Sequence, residues 1–234
     1  MRRGRPEGER DDARRELREL LLLATAIVGV AVFGLLAWEV THASAITGFD
    51  AQYFAIRQRL ATPDGQRAFA VITALGSPAF LTVLAVIGAV WLGGRRWSAL
   101  AVGWVSAFVG SALLVELTKR TIHEARPSGA AQFLHGASYS FPSGHVVGSV
   151  VGYGMVAYVL GRVAVRHTLT RMTTYGGAAC LVASIAWSRI YLGVHFVSDV
   201  LGGLALGSAW LMVCVLGMER LCRHHAEQRD RPTD

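Results

Sequence analysis

Two histidines, an aspartate and three basic side chains stand at spacings that suit the handling of a phosphoryl group. His195 and Asp199 are four residues apart, which on a helix puts them on one face within reach of each other. A carboxylate that accepts from Nδ1–H fixes the imidazole tautomer and leaves the Nε2 lone pair outward, as a nucleophile or base requires. Taken alone, the pair also fits a simple interfacial contact. Arg189 ends an otherwise charge-free run, and a cation near membrane depth is costly unless it reaches the interface or meets an anion. Lys119 and Arg126 are seven apart, two turns if the helix continues that far, and such a pair can clamp non-bridging oxygens, the arginine bidentately. The competing reading is a basic membrane-edge segment drawn to anionic lipid heads. Pro142 stops helix on its N-terminal side, Ser143 is a natural N-cap, and the apolar run starts straight after His145. Ser143, Gly144 and His145 therefore belong on a helix N-terminus, where free N–H groups favour an anion and Gly144 lets it approach the backbone. A capped helix start with an interfacial histidine fits the tripeptide equally well.

Membrane helices must position these residues. Of 234 residues, 53% are hydrophobic and 17% charged, and the mean hydropathy is +0.40. That excludes an ordinary soluble domain and makes the bilayer the expected solvent. A crossing takes about 20 apolar residues, and six candidates occur, near 20–40, 70–92, 97–117, 144–161, 172–190 and 198–218. The expected fold is all-α, one six-helix transmembrane bundle over 20–219, with charged tails at 1–19 and 220–234. Ala43-Ser44-Ala45 resembles a signal-peptidase site, but the apolar stretch before it exceeds the roughly 7–15 residues of a signal h-region, so it reads as an uncleaved anchor.

Six crossings place 16 of the 23 basic residues on the side of the two tails and 7 on the other. The richer side is cytoplasmic, so the expectation is a multi-pass cell-membrane protein with both termini inside and all three polar clusters outside. The net charge of +7 lies in tails and loops, which makes nucleic acid a poor partner. Cys180, Cys214 and Cys222 show no metal-site spacing and read as packing residues. Phe49, Tyr53, Phe54, Ile56 and Leu60 recur at nearly helical spacing around Asp50, Arg57 and Arg59, which fits a short helix on the membrane surface or one packed on the bundle. Gly148/Gly152 and Gly203/Gly207 are small-residue pairs that permit close helix contact.

Written as patterns, the clusters are K-x6-R-P (Lys119, Arg126, Pro127), P-S-G-H (Pro142 to His145) and S-R-x5-H-x3-D (Ser188, Arg189, His195, Asp199). In this order they resemble the three signature motifs of the type 2 phosphatidic acid phosphatase (PAP2) superfamily. The resemblance implies a membrane lipid phosphatase in which His195 attacks phosphorus and Asp199 orients it. His145 would protonate the leaving oxygen and then activate water. Lys119, Arg126 and Arg189, with Ser143 and the Gly144 backbone, would hold the phosphoryl oxygens. It implies no metal and no cofactor. Two histidines in opposite protonation states lead to a bell-shaped pH profile.

The expected partner is a lipid phosphate in the bilayer, foremost a polyprenyl diphosphate such as undecaprenyl or decaprenyl diphosphate, an expectation that rests on the family's compact bacterial members. Phosphatidic acid and phosphatidylglycerol phosphate are the alternatives within the class. A non-catalytic protein that binds or moves anionic lipids is the alternative outside it, and it leaves His145, His195 and Asp199 without a task. Arg120 and His123 read as solvent-facing, with contact to a second phosphate as the other possibility. Glu116 reads as reaching the interface, with support of a motif cation as the other possibility. Tyr139, Phe141 and Tyr191 read as pocket walls or surface anchors. Nothing in the residues sets an oligomeric state.

Overall fold

A computed structural model describes residues 7–128, 138–165 and 167–229, with side chains from 12 to 224 within those ranges. Arg2, Arg3, Arg5, Arg166 and Arg231, part of the charge count above, lie outside the described residues. The described chain is helical throughout: α1 (Glu7–Thr41), α2 (Ala45–Leu60), α3 (Pro63–Ala74), α4 (Pro78–Gly94), α5 (Ser98–Ile122), α6 (Gly144–Val163), α7 (Thr168–Tyr191) and α8 (Val197–Arg229).

Five stretches among them are long and apolar enough to cross a bilayer: Asp12–Thr41, Pro63–Gly94, Ser98–Ile122, Gly144–Val163 and Val197–His224. The sixth expected crossing is α7. It has 24 residues, but Thr168, Thr170, Arg171, Thr173 and Thr174 crowd its first turns and dilute its apolar character. The span expected at 70–92 is a broken helix. Ser77 caps α4 by accepting from Phe80 N–H at 3.2 Å, and Pro78 at its first position lacks the N–H that would continue α3. The amphipathic segment is α2, and it is packed on the bundle: it lies against α1 and α8 and buries Asp50.

Close approach of α6 and α8 sets the geometry that matters. A Cβ on Gly203 would stand 3.0 Å from Val146 Cβ and 3.1 Å from Ser143 O. One on Gly207 would stand 2.9 Å from Val150 Cβ. Only glycine admits this contact, the small-residue packing that spacing had indicated, and it seats the start of α6 against the first turns of α8. Gly148 and Gly152 play the same part towards Leu81 of α4. Phe141 is not a pocket wall. It is fully buried, stacked on Phe33 of α1 at 5.5 Å and pressed against Gly202. The main apolar core, around Leu92, Trp104, Met155 and Met218, occupies the other half of the bundle. There Arg18 of α1 pairs with Glu219 of α8 at 2.6 Å, so the two tails leave from the same end.

Candidate active site

The polar clusters meet at the opposite end, where α5 and α7 finish and α6 and α8 begin. α5 does not run on to Arg126. It ends at Ile122, and His123 takes the left-handed conformation (φ 54°), which turns the chain back over the helix end. Lys119 in the last turn and Arg126 beyond the turn thus approach from different directions, in place of one helical face. Lys119 Nζ donates to Tyr139 O. Arg126 is held by three acceptors, Ser138 O, Ser138 Oγ and Val194 O, each at 2.8 Å.

α6 opens where expected, with Ser143 at the N-cap position, but the hydroxyl makes no cap bond. Its Oγ is buried with no hydrogen-bond partner, and so is Nε of Arg189. A buried polar atom without a partner costs on the order of 1–3 kcal/mol, so both donors are set for an acceptor that protein does not supply. The first N–H groups of α6 have no intrahelical acceptor either. Arg189, only 3% exposed, is steadied through Nη1 by Thr73 Oγ1 of α3 at 2.9 Å.

His195 precedes α8 rather than lying within it, yet Asp199 still reaches it: Nδ1 to Oδ2 is 3.0 Å. Asp199 occupies the third helical position and accepts Phe196 N–H at 2.8 Å, half of a capping box. The same oxygen accepts Ser140 Oγ at 2.5 Å. On the far side of the ring, Nε2 stands 3.2 Å from Arg126 Nη1. With Nδ1–H donating to the carboxylate, the Nε2 lone pair points to the cationic side of the site. Burial pulls the pKa of His195 down to about 4, against the opposing pull of Asp199, so the imidazole is neutral at pH 7. His145 lies within electrostatic range of Arg189, His195, Arg126 and Lys119. All eight residues singled out by type and spacing come together here.

Spacing did not mark Ser140, Asp50 or Thr73. Ser140 is fully buried beneath His195, and its one local signal is a hydroxyl directly before Phe141-Pro142. Asp50 of α2 caps α8, accepting Ser198 N–H at 3.1 Å and the Ser198 hydroxyl. Burial raises its pKa, and the Ser198 donors oppose that rise. Arg120 pairs with Glu116 at 2.6 Å with both side chains more than half exposed. The His123 ring sits edge-on to Tyr139 at 4.4 Å.

The PAP2 superfamily profile matches residues 101–222, which carry all eight of the residues singled out by type and spacing. The chain belongs to the PAP2 superfamily. Over 186 residues, 77% of this PAP2 chain and 88% of its relative, it is 31% identical to phosphatidylglycerophosphatase B of Bacillus subtilis. A decaprenylphosphoryl-5-phosphoribose phosphatase of Mycobacterium tuberculosis is 36% identical over 129 residues, 54% of this chain and 64% of that one. The crystal structure of a transmembrane PAP2-type phosphatidylglycerolphosphate phosphatase from Bacillus subtilis superposes with a TM-score of 0.74 at 27% identity, covering 90% of this chain and 99% of that one. This PAP2 protein is a multi-pass membrane lipid phosphatase.

Proposed function

We propose that the protein hydrolyses a phosphate or diphosphate monoester of a membrane lipid through a phosphohistidine, without a metal ion. The observation that carries this reading is the placement of His195, with Nδ1 on Asp199 and Nε2 beside Arg126, in a site whose buried Ser143 Oγ and Arg189 Nε lack acceptors. Lys119, Arg126, Arg189, Ser143 Oγ and the Gly144 N–H neutralise the equatorial oxygens, where phosphoryl transfer gathers its charge. His195 Nε2 attacks phosphorus in line, and His145 gives its proton to the departing lipid oxygen. His145 then takes a proton from water as that water displaces His195. The bundle crosses the membrane six times, α7 included, with both tails in the cytoplasm and the site outside, as the distribution of basic residues supports.

An apolar groove of about 550 Å³ supports a lipid as substrate. Leu81 and Ala85 of α4 face Val105, Phe108 and Val115 of α5 across it, and its head is Gly144, the first residue of α6. A hydrocarbon tail lying there places its phosphate on the cradle without leaving the bilayer. Polyprenyl diphosphate remains the foremost substrate. Phosphatidylglycerophosphate is a second reading, favoured by the relative matched over 77% of the chain.

Purified protein in detergent, given a panel of polyprenyl diphosphate, phosphatidylglycerophosphate and phosphatidic acid with and without EDTA, decides among these. Turnover that survives EDTA and disappears in His195→Ala is the expected result. Lipid binding without phosphate release would make it a binding protein, and loss of turnover with EDTA would remove the metal-free scheme. The pH profile is a further check. Protonated His195 has no lone pair at Nε2, so kcat/KM is expected to fall as pH drops through about 4 and to hold above it until the second group titrates. An acid limb near 6.5, the ordinary imidazole value, would contradict a buried neutral nucleophile.

A further inference from the structure

Behind Asp199 lies a second carboxyl that the reaction scheme leaves unused. Glu124 follows the left-handed turn at His123, and its backbone carbonyl accepts Ser140 N–H at 2.9 Å. That bond fixes it beside the serine whose hydroxyl holds Asp199. Three donors converge on Asp199 Oδ2: His195 Nδ1, Phe196 N–H and Ser140 Oγ. The other oxygen, Oδ1, is buried and has no partner, and Glu124 Oε2 is likewise buried without one. The two carboxyl groups stand within hydrogen-bonding reach of each other.

Two ionised carboxylates cannot share such a place, because repulsion and burial both oppose the second charge. One proton between them satisfies both lone oxygens. Asp199 already has three donors, the imidazole among them, so the proton belongs to Glu124. We propose that Glu124 is a positioning residue, a neutral carboxylic acid that donates its O–H to Asp199 Oδ1 and so fixes the carboxylate that orients His195. The groups facing the pair are Asp50 from α2, Lys119 from α5, and Arg126, His195 and Ser140 from the flanking loops. Burial first, then the bond to Asp199 and the charges of Asp199 and Asp50, push the Glu124 pKa up to about 10.

The inference rests on Asp199 as the partner of His195, and two readouts keep it separable from the phosphatase reading. In Glu124→Gln the amide N–H replaces the carboxylic O–H, so most of the turnover is retained. In Glu124→Ala kcat falls by about 10- to 100-fold, the scale of one hydrogen bond to a charged group, with KM little changed. Independently of activity, the infrared spectrum of the wild-type protein at neutral pH shows the carbonyl stretch of a protonated carboxylic acid, and Glu124→Gln lacks that band. Gln as damaging as Ala, Ala as active as wild type, or a spectrum without the band would each overturn the proposal. A band present in a protein that hydrolyses no lipid phosphate would leave it standing while the phosphatase reading fails.

Discussion

Replacing His195 with alanine is expected to lower kcat by at least about 10⁴-fold and to prevent any phosphate from becoming bound to the protein, whereas His145→Ala is expected to accumulate a phosphorylated chain. The two imidazoles occupy different places. Nε2 of His195 has its lone pair turned towards the cationic side and its other nitrogen fixed on Asp199. No other described group could take over the attack from that position. His145 is the second residue of α6, half-buried near the mouth of the cradle. An activated aryl phosphate needs no acid to leave, so in His145→Ala the first transfer still proceeds while water is no longer activated for the second. Such a variant gives a burst of the phenol followed by near-arrest, and phosphate that stays with the chain in alkali and is lost in acid, as a phosphoramidate bond requires. If His195→Ala keeps appreciable turnover, or if neither variant separates burst from turnover, the double-displacement scheme fails.

The residues that meet at the candidate site were legible in the sequence because their identities and local spacing mark them. Asp199 is one turn from His195 whether or not His195 is helical, and Pro142 before Ser143 starts a helix in any context. Small residues four apart on α6 and α8 were legible for the same reason. What was not legible depends on distant partners. Ser140 meets Asp199 from 59 residues away and Asp50 meets Ser198 from 148. Neither pairing has a local periodicity, and Glu124 shows its role only once both ends of that network are placed. The break between α3 and α4 was hidden because Gly76, Ser77 and Pro78 interrupt an apolar run too briefly to lower its hydropathy. Whether one helix carries both Lys119 and Arg126 was open in the sequence, because only tertiary context puts His123, a non-glycine residue, in the left-handed region.

Asp199→Asn tests the orientation of the nucleophile apart from its presence, and a loss of about 10⁴-fold in kcat is expected. The carboxylate makes Nδ1 of His195 the protonated nitrogen, because Oδ2 can only accept. An asparagine amide can present N–H to that nitrogen instead. The proton then moves to Nε2, and the atom that must attack phosphorus loses its lone pair. In size the exchange is nearly silent, but an amide nitrogen in the place of Oδ2 no longer accepts from Phe196 N–H or Ser140 Oγ. Substrate affinity should also be preserved, because in the proposed scheme Lys119, Arg126, Arg189 and the start of α6 hold the phosphoryl oxygens. The contact that Asp199 makes with α6 is through its backbone carbonyl, which accepts Ser143 N–H at 3.1 Å and is untouched by the substitution. The measurement is therefore a split, with kcat collapsing while KM, and inhibition by inorganic phosphate or vanadate, stay within a few-fold of wild type. A fall in kcat of less than about tenfold would mean that His195 keeps its tautomer without the carboxylate. An equal loss of phosphate affinity would place Asp199 among the groups that build the cradle instead of behind the nucleophile.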